Sequence, residues 1–192
     1  MIEVLPATVD RFDIVRAVLA PADPTAHACW CLSYRVPNAE YRALAGEERP
    51  ARLRQYAVDG PAPGVVATVA GEPAGWCSVA PRTQHHRLEH SRTIPAIDDL
   101  PVWSIVCLVV RPPFRGQGVA HALVAGAVEH ARAQGAPAVE AYPIESGDRR
   151  VGSALAFSGT TRLFEAAGFE RVRLTDSTSG GRQRWVMRRT LD

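Results

Sequence analysis

Apolar residues along the chain switch repeatedly between a period of two and a period near 3.6, dividing it into strands and helices. "IEVLPAT" near the start reads as a strand, and "VDRFDIVRAVLA" after it carries apolar side chains at helical spacing. Asp10 or Thr8 is placed to cap that helix, and Pro21 to stop it. From Asn38 to Val58 the sequence is charged and helix-forming, with Pro50 marking a second helical piece. "GVVATVA" and "PAGWCSVA", joined by "GE", predict an antiparallel hairpin.

The pattern then breaks. Residues 81–101 carry three histidines, several arginines and "PAIDDLP", a stretch long enough to read as a binding loop. The strand "VWSIVCLVV" (102–110) follows, then a glycine-containing turn, then a helix from about Val119 to Gln134. Gly135 suits the left-handed cap of that helix, and Pro137 prevents its continuation. "AVEAYPI" (138–144) is the next strand and 145–158 a loop. "TTRLFEAAGFERVRL" gives a short helix, a stop at Gly168 and a strand, which pairs across "DSTSGG" with "RQRWVMRRT". With no repeat and no interdomain linker, residues 1–192 read as a single α/β (α+β) domain.

Composition narrows the function classes. A formal charge of +2, with its arginines dispersed apart from "DRR" (148–150) and "MRRT" (187–190), is too small a footprint for a nucleic-acid binder. No apolar run approaches a membrane span, and the chain opens without a charged-then-apolar leader, so no membrane partner and a cytoplasmic location are expected. Four cysteines suit a reducing compartment. His27, Cys29 and Cys31 in "HACWC" could begin a metal site, but no second CxxC or HxxxH completes it, and no metal is expected. Cys77 and Cys107 sit inside strands as small hydrophobes.

The candidate chemistry lies in "CLVVRPPFRGQGVAHAL" (107–123). Gly116 and Gly118 let the backbone turn and a ligand approach. The helix that follows offers unpaired amide N–H groups and a positive dipole end, a site for an anion flanked by Arg111 and Arg115. The lysine of a Walker loop is missing, and a dinucleotide GxGxxG fails at His121, where its third glycine belongs. What remains is Arg115-x-x-Gly118-x-Ala120 between a strand and a helix.

That signature resembles the GCN5-related N-acetyltransferase (GNAT) superfamily, and "LFEAAGFERV" is similar to the late segment of the same family. "CWCLSYR", "WCSVAPR" and "PVWSIVCLVV" together resemble a bacterial subgroup. The resemblance implies the GNAT fold: a central mixed, mostly antiparallel sheet flanked by helices, with a cofactor cleft between the central strands. It implies acetyl-CoA as acyl donor, with its pyrophosphate on Arg111, Arg115, Gly116, Gln117, Gly118, Val119 and Ala120. The backbone N–H groups of Leu108, Val109 and Val110 are expected to polarise the thioester carbonyl. Ser158, Thr161 and Phe164 are expected beside the rest of the cofactor.

The acceptor implied is the primary amine of a small molecule or peptide, and the family's homodimer is compatible with this chain. Phe164 stands where relatives place a proton-donating Tyr, and Phe157 where they place an Asn. Tyr142 is the leading replacement acid, with Ser158, Thr160 and Thr161 as other hydroxyls, each equally suited to capping the next helix. For a base, Asp98 or Asp99 is favoured over Glu140 and over His85, His86 and His90; a paired Asp also caps turns. Trp30 and Trp76 suit either an apolar acceptor site or the core. A module that binds an acyl-CoA without turnover is the alternative to an enzyme.

Overall fold

The structure is a computed structural model that describes residues 1–23, 26, 28–146 and 156–191. Among them, seven strands form one sheet in the order β1-β2-β3-β4-β5-β7-β6. The strands are β1 (Ile2–Pro6), β2 (Gly64–Val69), β3 (Glu72–Pro81), β4 (Trp103–Val110), β5 (Ala138–Ala141), β6 (Glu170–Ser179) and β7 (Arg182–Thr190). All neighbours are antiparallel except β4 and β5. The helices are α1 (Phe12–Leu19), α2 (Asn38–Ala43), α3 (Glu48–Asp59), α4 (His86–Glu89), α5 (Val119–Ala133) and α6 (Thr161–Glu165). No helix among the described residues is long and apolar enough to cross a membrane.

Three local expectations are corrected. Neither Asp10 nor Thr8 caps α1, because a 3-10 turn at Val9–Arg11 intervenes and the Thr8 hydroxyl accepts from Arg11 instead. The β2–β3 turn is Ala70-Gly71, both at positive φ, rather than "GE", since Glu72 already pairs with Val69. The strand expected at 138–144 stops at Ala141: Tyr142 and Pro143 leave the ladder, and Ile144 returns only as an isolated bridge to Thr160 and Arg184. Pro50 falls inside the first turn of α3, where no N–H is needed, and Ala20 turns extended ahead of Pro21 to end α1.

The sheet separates two apolar layers. Leu123, Val124, Ala127 and Val128 of α5 pack with Val65, Cys77, Leu108 and Phe164 on one face. On the other, Phe12, Val15 and Val18 of α1 join Trp30, Leu32, Leu53, Val66 and Trp76. Residues of β4 alternate between the layers, Leu108 and Val110 toward α5, Cys107 and Val109 toward α1. The helix that begins at the glycine loop is therefore seated by core packing.

Gly126 decides how closely α5 approaches β1. A Cβ there would lie 2.3 Å from Cγ1 and 3.0 Å from Cβ of Val4, a branched side chain with little freedom to move aside. Gly126→Ala is expected to cost about 1–3 kcal/mol through overpacking. The matching fall in Tm, at about 2–4 °C per kcal/mol for a chain of this size, is read by thermal denaturation.

Candidate active site

The central strands part. β4 and β5 pair over three residues only, Trp103–Ile105 against Val139–Ala141. Beyond that point Pro143 has no N–H to offer β4, and β4 itself kinks. Cys107 pairs with Ser78 and Ile105 with Val79, so Val106 is the extra residue of a β-bulge. The Arg111 N–H donates to Ala74 O, and antiparallel alternation then turns the Leu108 and Val110 peptide groups away from β3. Among the described residues no strand pairs with that edge.

Next to the open edge lies a hollow of about 320 Å³ lined by Val110, Phe114, Arg115, Gly116, Gly118, Val119, Ala120 and His121. Gly116 and Gly118 have φ of 75° and 83°, and Gly118 caps α5. A Cβ at Gly116 would meet nothing within 4 Å, and one at Gly118 only Ile2 Cδ1 at 4.0 Å. The two glycines thus keep the backbone left-handed and the hollow clear. The first helical bond runs from Ala122 N to Gly118 O, so the N–H groups of residues 119–121 are free to receive an anion.

Two predicted phosphate side chains do other work. Arg111 donates to Pro73 O at 2.6 Å and lies over Phe114, and Gln117 donates to Pro113 O at 2.8 Å, so both brace the loop. Arg115 holds the loop to Val110 O through Nε. His121, the residue that broke the dinucleotide motif, lies in the wall; one turn of helix past Gly118 was the signal for it.

The hydroxyls beside the parted strands sort themselves by partner. Thr160 caps α6, accepting from Leu163 N. Thr161 is engaged with Ser146 Oγ at 2.8 Å and Glu145 Oε1 at 3.2 Å. Ser158 differs: its Oγ is buried in a turn against β4 and has no hydrogen-bond partner among the described residues. Phe164 is fully buried, edge-on to Phe169, and the chain at Gly159 passes so close to its ring that a Cβ would lie 2.6 Å away.

The predicted acid and bases stand elsewhere. The Tyr142 hydroxyl, expected in the cleft, is buried: it donates to Glu140 Oε2 at 3.0 Å and accepts from Arg82 Nη1 and Ser104 Oγ, both at 2.8 Å. Burial, then the Glu140 charge, pushes its pKa up, so it keeps its proton. Glu140 also receives Nε and Nη2 of Arg188. Asp98 takes the other side of that guanidinium, at 2.6 and 3.0 Å, which holds its carboxyl below the ordinary value. Asp99 is exposed, and none of Asp98, Asp99 and Tyr142 lines the glycine hollow. Asp98, Arg188, Glu140, Tyr142, Arg82 and Ser104 form a polar clamp at the paired end of β4 and β5.

The segment 81–101 is likewise pinned, with Arg82 donating to Leu88 O and Ile94 O. His86 stacks on His90, whereas His85 is buried against the backbone of Ser104.

On the α1 face a larger hollow of about 510 Å³ opens between Trp30, Tyr34, Tyr41 and β4 residues Val106, Cys107 and Val109, with Phe157 at its side. Cys29, Cys31 and Cys107 are all in its wall, so Cys107 is more than the core hydrophobe expected. Trp76 belongs to the core and donates to Cys31 Sγ at 3.0 Å. His27 lies outside the described residues, and among those described no cluster of His, Cys, Asp and Glu suits a metal.

The model of the acetyltransferase (GNAT) family matches residues 32–169. The chain belongs to that family. Solved structures of the same fold include a chain of the NatC complex bound to Gag peptide and CoA, 14% identical, covering 100% of this chain and 99% of that one, with a TM-score of 0.57. Another is yncA of Salmonella typhimurium with its cofactor acetyl-CoA, 19% identical over 100% and 94% of the two chains, TM-score 0.55. A third is the ribosomal-protein-alanine N-acetyltransferase from Brucella melitensis, 20% identical over 98% and 99%, TM-score 0.57. No curated protein matches the sequence. The expected α/β sheet flanked by helices is the GNAT fold observed here.

His85 gives this GNAT domain a pH response. Burial above all, and then the charge of Arg35, hold its pKa well below the ordinary 6.5. The unfolded chain therefore binds a proton that the folded one refuses, so stability falls as pH drops below about 6.5. Urea unfolding from pH 7.5 to 5 should show that loss, and His85→Gln should make the slope shallower.

Proposed function

We propose that this chain is an acetyl-CoA-dependent N-acetyltransferase that acetylates the primary amine of a small molecule or peptide. The observation that carries the reading is the open edge of β4. Its free Leu108 and Val110 amides stand between a phosphate-sized hollow at the start of α5 and an acceptor-sized hollow on the α1 face. Acetyl-CoA supplies an acetyl group activated as a thioester. The amides of residues 118–121 and Arg115 hold its pyrophosphate, and a Leu108 or Val110 N–H donates to the carbonyl oxygen as negative charge develops there. Each such preorganised donor contributes about 3–4 kcal/mol to the transition state. The amine nitrogen bonds to the carbonyl carbon and gives up a proton to solvent, the carbon–sulfur bond breaks, and the thiolate leaves with a hydrogen bond from the Ser158 hydroxyl, which has no other partner among the described residues.

Relatives of this fold solved with CoA, acetyl-CoA or a peptide support the donor and the amine class. Tyr142 acts at one remove, fixing the clamp that ends the parting of β4 and β5. A second reading, an acyl-CoA-binding module without turnover, is favoured by Phe157 and Phe164 standing where relatives carry polar groups.

Thermal shift with acetyl-CoA, ATP and NAD should show stabilisation by acetyl-CoA alone, reaching about 2.7 kcal/mol at a hundredfold excess over Kd. Gly118→Glu, which sets a carboxylate in the hollow and a side chain at φ 83°, should abolish that shift in a folded protein. An undiminished shift would reject the loop assignment.

A further inference from the structure

The chemistry of the acceptor follows from the walls of the 510 Å³ hollow, on the reading above that the chain transfers acetyl groups. Trp30, Tyr34, Tyr41 and Phe157 give it four rings, and Val106 and Val109 floor it at the parted strand. None of its described lining residues carries a carboxylate. Behind three of the rings stand guanidinium groups: Arg16 lies 6.0 Å from the centre of Trp30, Arg49 4.5 Å from Tyr41 and Arg87 5.4 Å from Tyr34. A guanidinium on the far face draws on the ring's π density and adds positive charge, so the face toward the hollow is a poor seat for a second cation.

The charge behind the walls is also poorly compensated. Arg16 is paired with Glu47, but Arg49 donates to three backbone carbonyls, those of Leu44, Ala28 and Tyr41. Arg184 donates to Tyr34 Oη and Tyr142 O, and Arg35 to Pro63 O, Ser78 Oγ and Gln84 Oε1. Among the described residues none of these three meets a carboxylate. An ammonium entering the hollow would lose its water, find no counter-charge among the described residues and face a positive shell. An uncharged aromatic ring meets apolar walls instead, with rings to pack on. Space is sufficient, since an apolar cavity of about 150 Å³ already admits benzene.

We propose that the acceptor is a primary aromatic amine, with its nitrogen directly on the ring. Conjugation leaves that nitrogen unprotonated at neutral pH, so it needs no carboxylate to strip a proton before attack. This agrees with the diversion of Asp98 and Glu140 into the clamp on Arg188. The nitrogen loses its proton to solvent as the carbon–nitrogen bond forms and the CoA sulfur departs.

The test compares p-anisidine with 4-methoxybenzylamine, nearly the same shape but an ammonium at pH 7, together with spermidine and a short peptide bearing a free α-amine. Thiol release from acetyl-CoA is recorded. The expected result is a kcat/KM for p-anisidine at least about 100-fold above that for 4-methoxybenzylamine, with no turnover of the other two. Phe157→Asp adds the missing carboxylate and should shift preference toward 4-methoxybenzylamine; Tyr41→Glu does the same from the opposite wall. As a readout apart from activity, p-anisidine should slow N-ethylmaleimide labelling of the exposed Cys29 thiol, and 4-methoxybenzylamine should not.

Faster acetylation of any ammonium-bearing acceptor overturns the aromatic-amine assignment and leaves acetyl transfer standing. A thermal shift with acetyl-CoA but no acetylated product in any arm overturns it in favour of the binding module. Absence of that shift overturns both readings.

Discussion

Everything functional in this molecule depends on two strands failing to stay together. β4 and β5 are parallel neighbours for three residues, and a continuous ladder would have consumed every peptide group on both. The bulge at Val106 rotates β4, and Pro143 deprives the other side of a donor at the next step. Both defects are local and come from backbone chemistry. Their product is an edge strand in the interior of a sheet, a place where proteins ordinarily leave no unpaired groups.

The clamp on Tyr142 and Glu140 is the counterpart of that opening. Parted strands tend to unzip, and here the zipper is stopped by Arg188 and Asp98 on one side of Glu140 and by Arg82 and Ser104 on the hydroxyl of Tyr142. Breaking one member would leave buried charge uncompensated, so the network is held all-or-none. Catalytic-looking residues thereby become structural. Two carboxylates and a phenol near a cleft are evidence of chemistry only when their lone pairs and protons are free.

That distinction marks the boundary of what the sequence could reveal. The geometry of the glycine loop was legible because it resides in backbone angles and helix polarity, which Gly116, Gly118 and the following alanines encode within a few positions. The sheet order was legible as a family resemblance, and the short helix at Thr161 from its capping hydroxyl at Thr160. The ion pair of Asp98 was not legible because its partner, Arg188, lies ninety positions away, and strand periodicity could not say whether Tyr142 faced the cleft or the clamp. The aromatic hollow was invisible for the same reason: α1, the left-handed turn at Trp30 and Cys31, and β4 meet only in three dimensions.

The open edge also has a kinetic signature. The amides of Cys107 and Val109 are locked into the ladder with β3, whereas those of Leu108 and Val110 point the other way. Along one strand, then, protection against hydrogen exchange should alternate residue by residue, and only half of that alternation belongs to the fold. The other half is open, and on the function proposed above a ligand supplies it. Occupancy of the site would then be written into the exchange rates of two peptide groups, where it can be followed without a chromophore, a label or a turnover.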